Sequence, residues 1–345
     1  MNENMEIIEN LKSQVDEVDE DIIRLMLKRK QITSTILDLK EKHGIALKDS
    51  ARETAIVNRL IQQFGNENSD LVKQIYKHIF NDSIKWHRVK FHRHQIKSIA
   101  NALMIRPLII AGPCAVESKE QIFSIAKELA DNGIKFLRGG AFKPRTSPDT
   151  FQGLGDKGIE LIREAANEYS MFVVSEVLEI DQLDRNYDKI DIVQIGSRNM
   201  AAYGFLKQIG KKTAVDKKPI LLKRGFGSTV KEFLFAARYI IDEGNPNVIL
   251  CLRGIRTFEQ IHSELRFTPD LATILEIKQQ SDLPVIFDPS HSTGSVKYVE
   301  QIAKAALGLG ADGLLIETHI NPEEAMSDKE QCILPKDLFE ILNNI

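Results

Sequence analysis

The sequence predicts an α/β protein: a (β/α)8 TIM barrel preceded by a three-helix all-α domain that forms an intertwined dimer. Three observations carry this. Up to about residue 90 there is no proline and little glycine, and apolar residues recur at helical spacing. From Pro107 onward, short apolar runs alternate with amphipathic stretches; eight such units fit one closed barrel. No G-x-G-x-x-G follows the first run, which counts against an open doubly wound sheet. The expected division is a helical domain over 1–90, a linker over 91–106 and the barrel over 107–345.

The first helix is expected from Glu6 to Lys42, with Ile8, Leu11, Val15, Val18, Ile22, Leu25, Ile32, Ile36 and Leu39 along it and Gly44 ending it. A second follows "DSARE" to Phe64, with "SARE" at 50–53 reading as a capping box in which Glu53 serves the helix N-terminus. A third runs from Ser69 to Arg88. Three helices with so long a first one bury little alone, and pairing with a second copy is the remedy. The basic stretch "KWHRVKFHRHQIKS" at 85–98 reads as the exposed end of the third helix entering a linker; its histidines lack the cysteine partners of a zinc site.

Composition excludes several classes of function. The net charge of −3 gives no reason to expect nucleic acid or a membrane surface as partner. No apolar run approaches a membrane span, and the N-terminus lacks the basic and apolar regions of a signal peptide. Cys114, Cys251 and Cys332 are sparse and widely spaced, which fits a reducing cytoplasm better than a disulfide framework.

In the barrel, strands are expected at 108–112, 135–139, 172–176, 192–196, 220–224, 248–253, 285–288 and 313–318. At or just beyond their C-terminal ends stand Cys114, Arg138, Glu176, Arg198, Lys223, Arg253, His291 and Glu317. Active sites of this fold lie at that rim, and a packed barrel does not need such side chains for stability. They form two chemical groups. Arg138, Lys143, Arg145, Arg198, Lys223 and Arg253 are cationic and suit more than one carboxylate or phosphate. Cys114, His291, Glu317 and Asp328 combine thiolate, imidazole and carboxylate, a set suited to a divalent transition metal rather than calcium or magnesium. Bland readings compete: Cys114 also fits a small buried hydrophobe, and Asp328 a simple cap. His291 sits in a polar loop, and Ser-His-Ser at 290–292 has no G-x-S-x-G elbow beside it.

The motifs "AGPCAVES" (111–118), "LRGGAFKPRTSPDTFQGLG" (137–155), "QIGSRNM" (194–200), "LLKRG" (221–225), "CLRGIRT" (251–257), "SHSTG" (290–294) and "IETHINPEEAMSD" (316–328) cover the barrel in order. They resemble 3-deoxy-D-arabino-heptulosonate 7-phosphate (DAHP) synthase. The resemblance implies metal-dependent condensation of phosphoenolpyruvate with erythrose 4-phosphate, the first step of the shikimate pathway. It implies that Arg138, Lys143, Arg198, Lys223 and Arg253 hold phosphoenolpyruvate, and that Arg145 and Thr146, with Ser197 nearby, hold the phosphate of erythrose 4-phosphate. Cys114, His291, Glu317 and Asp328 would hold the metal, Mn2+ first, with Fe2+, Co2+ or Zn2+ as alternatives. Lys143 and Glu176 join Cys114 and His291 in the chemistry, Glu176 by ordering the attacking water or orienting Lys143.

The N-terminal region resembles the all-helical chorismate mutase fused to this synthase in some bacteria, on Arg29, Lys40, Asp49, Arg52, Glu53 and Ser83. Lys12 stands where that family usually has arginine, and His87 where it usually has glutamine or glutamate. Arg29 and Lys40 lie eleven residues apart, about three helical turns, and so share a face. Lys12 points about a quarter-turn away, toward a partner protomer's site. The implied substrate is chorismate, the implied effector chorismate or prephenate, and the implied assembly a homodimer or homotetramer. Two other readings stay open: a synthase whose helical domain only regulates or dimerises, and a Schiff-base aldolase using Lys143 or Lys223.

Overall fold

The protein is described from a computed structural model, which covers residues 3–43, 45, 49–80, 83, 99, 101–144, 147, 149–258 and 267–344. It divides into two compact units, Met1–Gln95 and Ile96–Ile345.

The first unit holds helices α1 (Glu3–Lys42) and α2 (Ser50–Phe64), and a third, α3, over 69–80, with Ser83 also helical. The cap of α2 differs from expectation. Asp49 is the N-cap, and its side chain accepts from the Arg52 amide at 3.0 Å. The Ser50–Glu53 box is therefore not the cap: Asp49, one residue earlier, already meets the N3 amide, and Ser50 is inside the helix. Leu37 is the one buried apolar residue among the described part of this unit, while Ile8, Leu11, Val15, Val18, Leu25 and Leu39 stay exposed along α1.

The second unit is a closed parallel barrel with strands in sequence order. These are β1 Leu108–Gly112, β2 Phe136–Arg138, β3 Phe172–Glu176, β4 Ile192–Ile195, β5 Ile220–Lys223, β6 Val248–Leu252, β7 Val285–Phe287 and β8 Gly313–Glu317. All but β1 and β3 stop one residue short of the expected end, because the last residue turns out of the ladder into the rim loops. Closure pairs β1 with β8, Gly112 facing Glu317. Period-two alternation splits the strand residues. Leu108, Ile110, Phe136, Val174, Ile192, Leu221, Ile249, Cys251, Ile286 and Leu315 fill the interior. Their neighbours face the outer helices, where Ile122, Ile162, Leu206, Phe233 and Ile277 are buried.

Part of the expected linker sits with the barrel unit. Residues 101–103 are helical, and Ala102 and Leu103 pack against the interior cluster, while Ile99 is buried. Arg106 reaches Asp312, just before β8, at 3.5 Å, so this segment lies at the N-terminal end of the barrel. A chain starting at residue 107 is therefore expected to lose about 3–5 kcal/mol relative to one starting at 96, from Ile99 and Leu103 alone. Thermal melting of the two should differ by roughly 10 °C. Equal midpoints would show that the segment is only a tether.

Candidate active site

The rim is built locally before it is built globally. At the end of β7, Asp288 caps a short helix, α4 (Pro289–Thr293), with proline at its start and left-handed Gly294 closing it. His291 thus stands on a helical turn rather than in the polar loop expected, because cap, proline and glycine together fix one turn. Asp288 is fully buried. Its Oδ1 accepts from the His291 amide at 2.9 Å and its Oδ2 meets His291 Nδ1 at 2.7 Å. Lys223 Nζ lies 2.5 Å from the same oxygen.

These contacts fix the imidazole. A carboxylate only accepts, so Nδ1 carries the proton and Nε2 is left as the donor atom for a metal. Burial pushes the His291 pKa down, against the pull of Asp288 and Glu317, in the direction of the neutral ring that ligation requires. Burial alone would raise Asp288, but His291 and Lys223 outweigh it and hold the carboxyl well below its usual range.

Cys114, His291, Glu317 and Asp328 offer one ligand atom each within 4.8 Å of one another. Donors about 2.0–2.3 Å from a shared ion lie at most about 4.6 Å apart, so the set fits one after closing by a few tenths of an ångström. Asp328 does not act as a cap. It takes the left-handed region, φ 53°, which aspartate tolerates, and its side chain makes no cap bond. Instead its Oδ2 accepts from Cys114 Sγ at 3.0 Å. Burial, then Glu317, push the Cys114 thiol up to about 12, so thiolate ligation needs a cation to displace the proton.

The cations stand directly around this cluster. Lys143 Nζ donates to Cys114 Sγ and to the Cys114 carbonyl, both at 2.9 Å. Arg138, assigned above to the phosphoenolpyruvate group, donates to Glu317 Oε1 at 2.9 Å and to the Pro113 carbonyl at 2.7 Å. Burial opposes ionisation of Glu317, yet His291 and Arg138 keep its pKa low. Gln331 donates to the other Glu317 oxygen at 2.5 Å.

Glu176, at the end of β3, accepts from Gln194 at 3.2 Å and lies against Gly196. A Cβ on Gly196 would sit 1.9 Å from Glu176 Oε1. Gly196→Ala is expected to push Glu176 aside and cut barrel turnover by about tenfold or more with little loss of stability. Unchanged turnover would remove Glu176 from the chemistry. Ser197 and Arg198 follow on a 3-10 turn, Ser197–Asn199. Arg198 and Arg253 both lie over the Phe226 ring, at 5.3 and 5.0 Å from its centre. Arg145 and Thr146 lie outside the described residues.

Sequence reasoning missed Asp288, Gln331 and Phe226. Asp288 had a signal, the D-P pair ending an apolar run three residues before a histidine. Gln331 had none, since only the folded loop after β8 brings it to Glu317.

Residues 95–344 match the DAHP synthetase I family. The chain belongs to that family. Residues 11–88 match chorismate mutase type II. A phospho-2-dehydro-3-deoxyheptonate aldolase of Thermotoga maritima is 48% identical over 68% of this chain and 67% of its own length. A 2-dehydro-3-deoxyphosphooctonate aldolase of Francisella tularensis subsp. holarctica is 30% identical over 64% of this chain and 83% of its own. The solved Thermotoga maritima DAHP synthase superposes with a TM-score of 0.64 at 46% identity, over 68% of this chain and 67% of that one. A truncated form of that synthase gives 0.62 at 44% identity, over 68% and 84%.

In the mutase-like unit, Arg29 donates to Ser83 Oγ at 2.9 Å and lies 5.7 Å from the Phe80 ring centre, so two of the expected pocket residues meet. Lys40 is half-buried on the same helix, and Glu53 half-buried and Arg52 exposed on α2. Lys12 pairs instead with Glu9 at 2.7 Å on an exposed turn. His87 lies outside the described residues.

Proposed function

We propose that the barrel condenses phosphoenolpyruvate with erythrose 4-phosphate to DAHP and phosphate, and that the helical unit binds chorismate and converts it to prephenate. The observation that carries the first reading is the four-ligand cluster ringed by Arg138, Lys143 and Lys223. Both substrates are multiply anionic, and the rim cations offset their repulsion. Arg138, Lys143, Arg198, Lys223 and Arg253 hold phosphoenolpyruvate, while Arg145, Thr146 and Ser197 hold the sugar phosphate. Carbon 3 of phosphoenolpyruvate bonds to the aldehyde carbon, a water adds at carbon 2, and the carbon 2–oxygen bond to phosphate then breaks.

The divalent ion, Mn2+ in preference to Fe2+, Co2+ or Zn2+, supplies Lewis acidity at the aldehyde oxygen. The chain's own part is placement. Asp288 holds the imidazole tautomer, and Arg138 and Gln331 hold the Glu317 carboxylate. Lys143 beside the Cys114 sulfur is within reach of a proton needed at the new hydroxyl. Glu176 orders the attacking water. A Schiff-base aldolase is disfavoured, since Lys223 Nζ is engaged by Asp288 and Lys143 Nζ by Cys114.

For the mutase, Arg29 and Lys40 grip carboxylates, with Asp49, Arg52, Glu53, Ser83 and His87 lining the pocket and Lys12 reaching it from a partner protomer. The exposed apolar face of α1 supports pairing with a second copy, as homodimer or homotetramer. Among the described residues no helix is long and apolar enough to cross a membrane. Measuring each half-reaction on the full chain tests both readings. Phosphate release that needs both substrates, and loss of chorismate absorbance, are the expected results; a silent second assay would leave the helical unit as a regulator or dimer arm.

A further inference from the structure

Arg256 belongs to none of the residue sets assigned above. It lies in the loop after β6, with Arg253 and Phe267, while Phe226 lies in the loop after β5. The two phenyl rings stack with centres 5.4 Å apart and planes 18° from parallel. The Arg256 amide donates to the Phe226 carbonyl at 2.6 Å. Ile255 and Thr268 exchange backbone bonds of 3.0 and 2.9 Å. Ring, arginine and loop are thus tied into one piece.

Three guanidinium groups converge on that ring. Their carbons lie 5.0 Å (Arg253), 5.2 Å (Arg256) and 5.3 Å (Arg198) from the Phe226 centre, and Arg253 also lies 4.2 Å from the Phe267 centre. No two of the carbons can then be further apart than twice that span. Neither Arg198 nor Arg256 makes an ion pair among the described residues. A ring face returns only about 0.5–1 kcal/mol per exposed cation, which does not neutralise Arg198 and Arg256. Among the described residues these two guanidinium groups are short of negative charge, and a multiply charged anion supplies it.

We propose that Arg256 is a third guanidinium of the phosphoenolpyruvate subsite, gripping its phosphate or carboxylate together with Arg198 and Arg253, with Phe226 as the platform that aligns all three. The proposal rests on the synthase reading. Phosphoenolpyruvate is the occupant rather than erythrose 4-phosphate because the other two arginines on the ring belong to its subsite.

The test is calorimetric titration of phosphoenolpyruvate into the Mn2+-loaded full chain, with Michaelis constants for both substrates alongside. Arg256→Ala should weaken phosphoenolpyruvate binding about tenfold or more, as loss of a charged hydrogen bond does. The Michaelis constant for erythrose 4-phosphate should stay within about twofold, and the melting temperature should not move, since the side chain is exposed. Arg256→Lys keeps the charge without the fork and should recover part of the loss. Phe226→Leu should weaken the same ligand by freeing all three arginines. Arg256→Ala binding phosphoenolpyruvate like the unaltered chain would overturn the proposal and leave the synthase reading standing. So would an effect confined to erythrose 4-phosphate. Failure of the unaltered chain to bind phosphoenolpyruvate would overturn the synthase reading, and this proposal with it.

Discussion

Replacing Cys114 or His291 by alanine is expected to lower DAHP formation by about a thousandfold or more while leaving the barrel folded. Each side chain supplies one of four ligand atoms clustered within 4.8 Å, at the rim and not among the interior or outer apolar clusters. Removing the Cys114 thiol also takes away one of the two acceptors of Lys143 and the partner of Asp328, so the local charge pattern shifts while the barrel ladder does not. Metal titration should therefore show weakened binding with near-native melting of the apo protein. Because the thiol is pushed up to about 12, thiolate ligation must release a proton. The sign follows directly: affinity rises with pH, since protons compete with the ion for sulfur. Calorimetry in buffers of different ionisation enthalpy should read that release in the unaltered chain and lose it in Cys114→Ala. Full synthase activity in chelator-treated protein would sink the metal reading.

Chorismate or prephenate is expected to inhibit the synthase, and a chain starting at residue 96 to be active but insensitive. The helical unit offers Arg29, positioned by Ser83 and Phe80, as a carboxylate grip, and its compounds lie downstream of what the barrel makes. Inhibition requires unequal binding to two arrangements of the protein, with coupling of about 1–3 kcal/mol, or roughly 5–150-fold. Arg29→Ala should abolish inhibition and spare uninhibited synthase turnover. The start at residue 96 matters, because Ile99, Ala102 and Leu103 belong to the barrel and a shorter chain would confuse insensitivity with instability. Inhibition that persists in the barrel alone would place the effector site there.

What the sequence alone determined about this protein is whatever neighbours along the chain decide. Periodicity placed eight strands, and β1 and β3 fell at the residues expected. Counting to the end of each strand put Cys114, Glu317 and His291 on one rim, because parallel strands in a closed barrel all point the same way. Local chemistry was less legible where two caps competed: Asp49 won over Ser50 by a contact only the folded turn reveals. What only the tertiary structure decided is pairing across the barrel. Cys114 meets Asp328 across 214 residues and Arg138 meets Glu317 across 179, distances at which spacing carries no signal. Likewise Asp288 serves cap, imidazole and Lys223 together, and Arg256 joins Arg198 over one phenyl ring, only because barrel closure brings separate strand ends within a few ångströms.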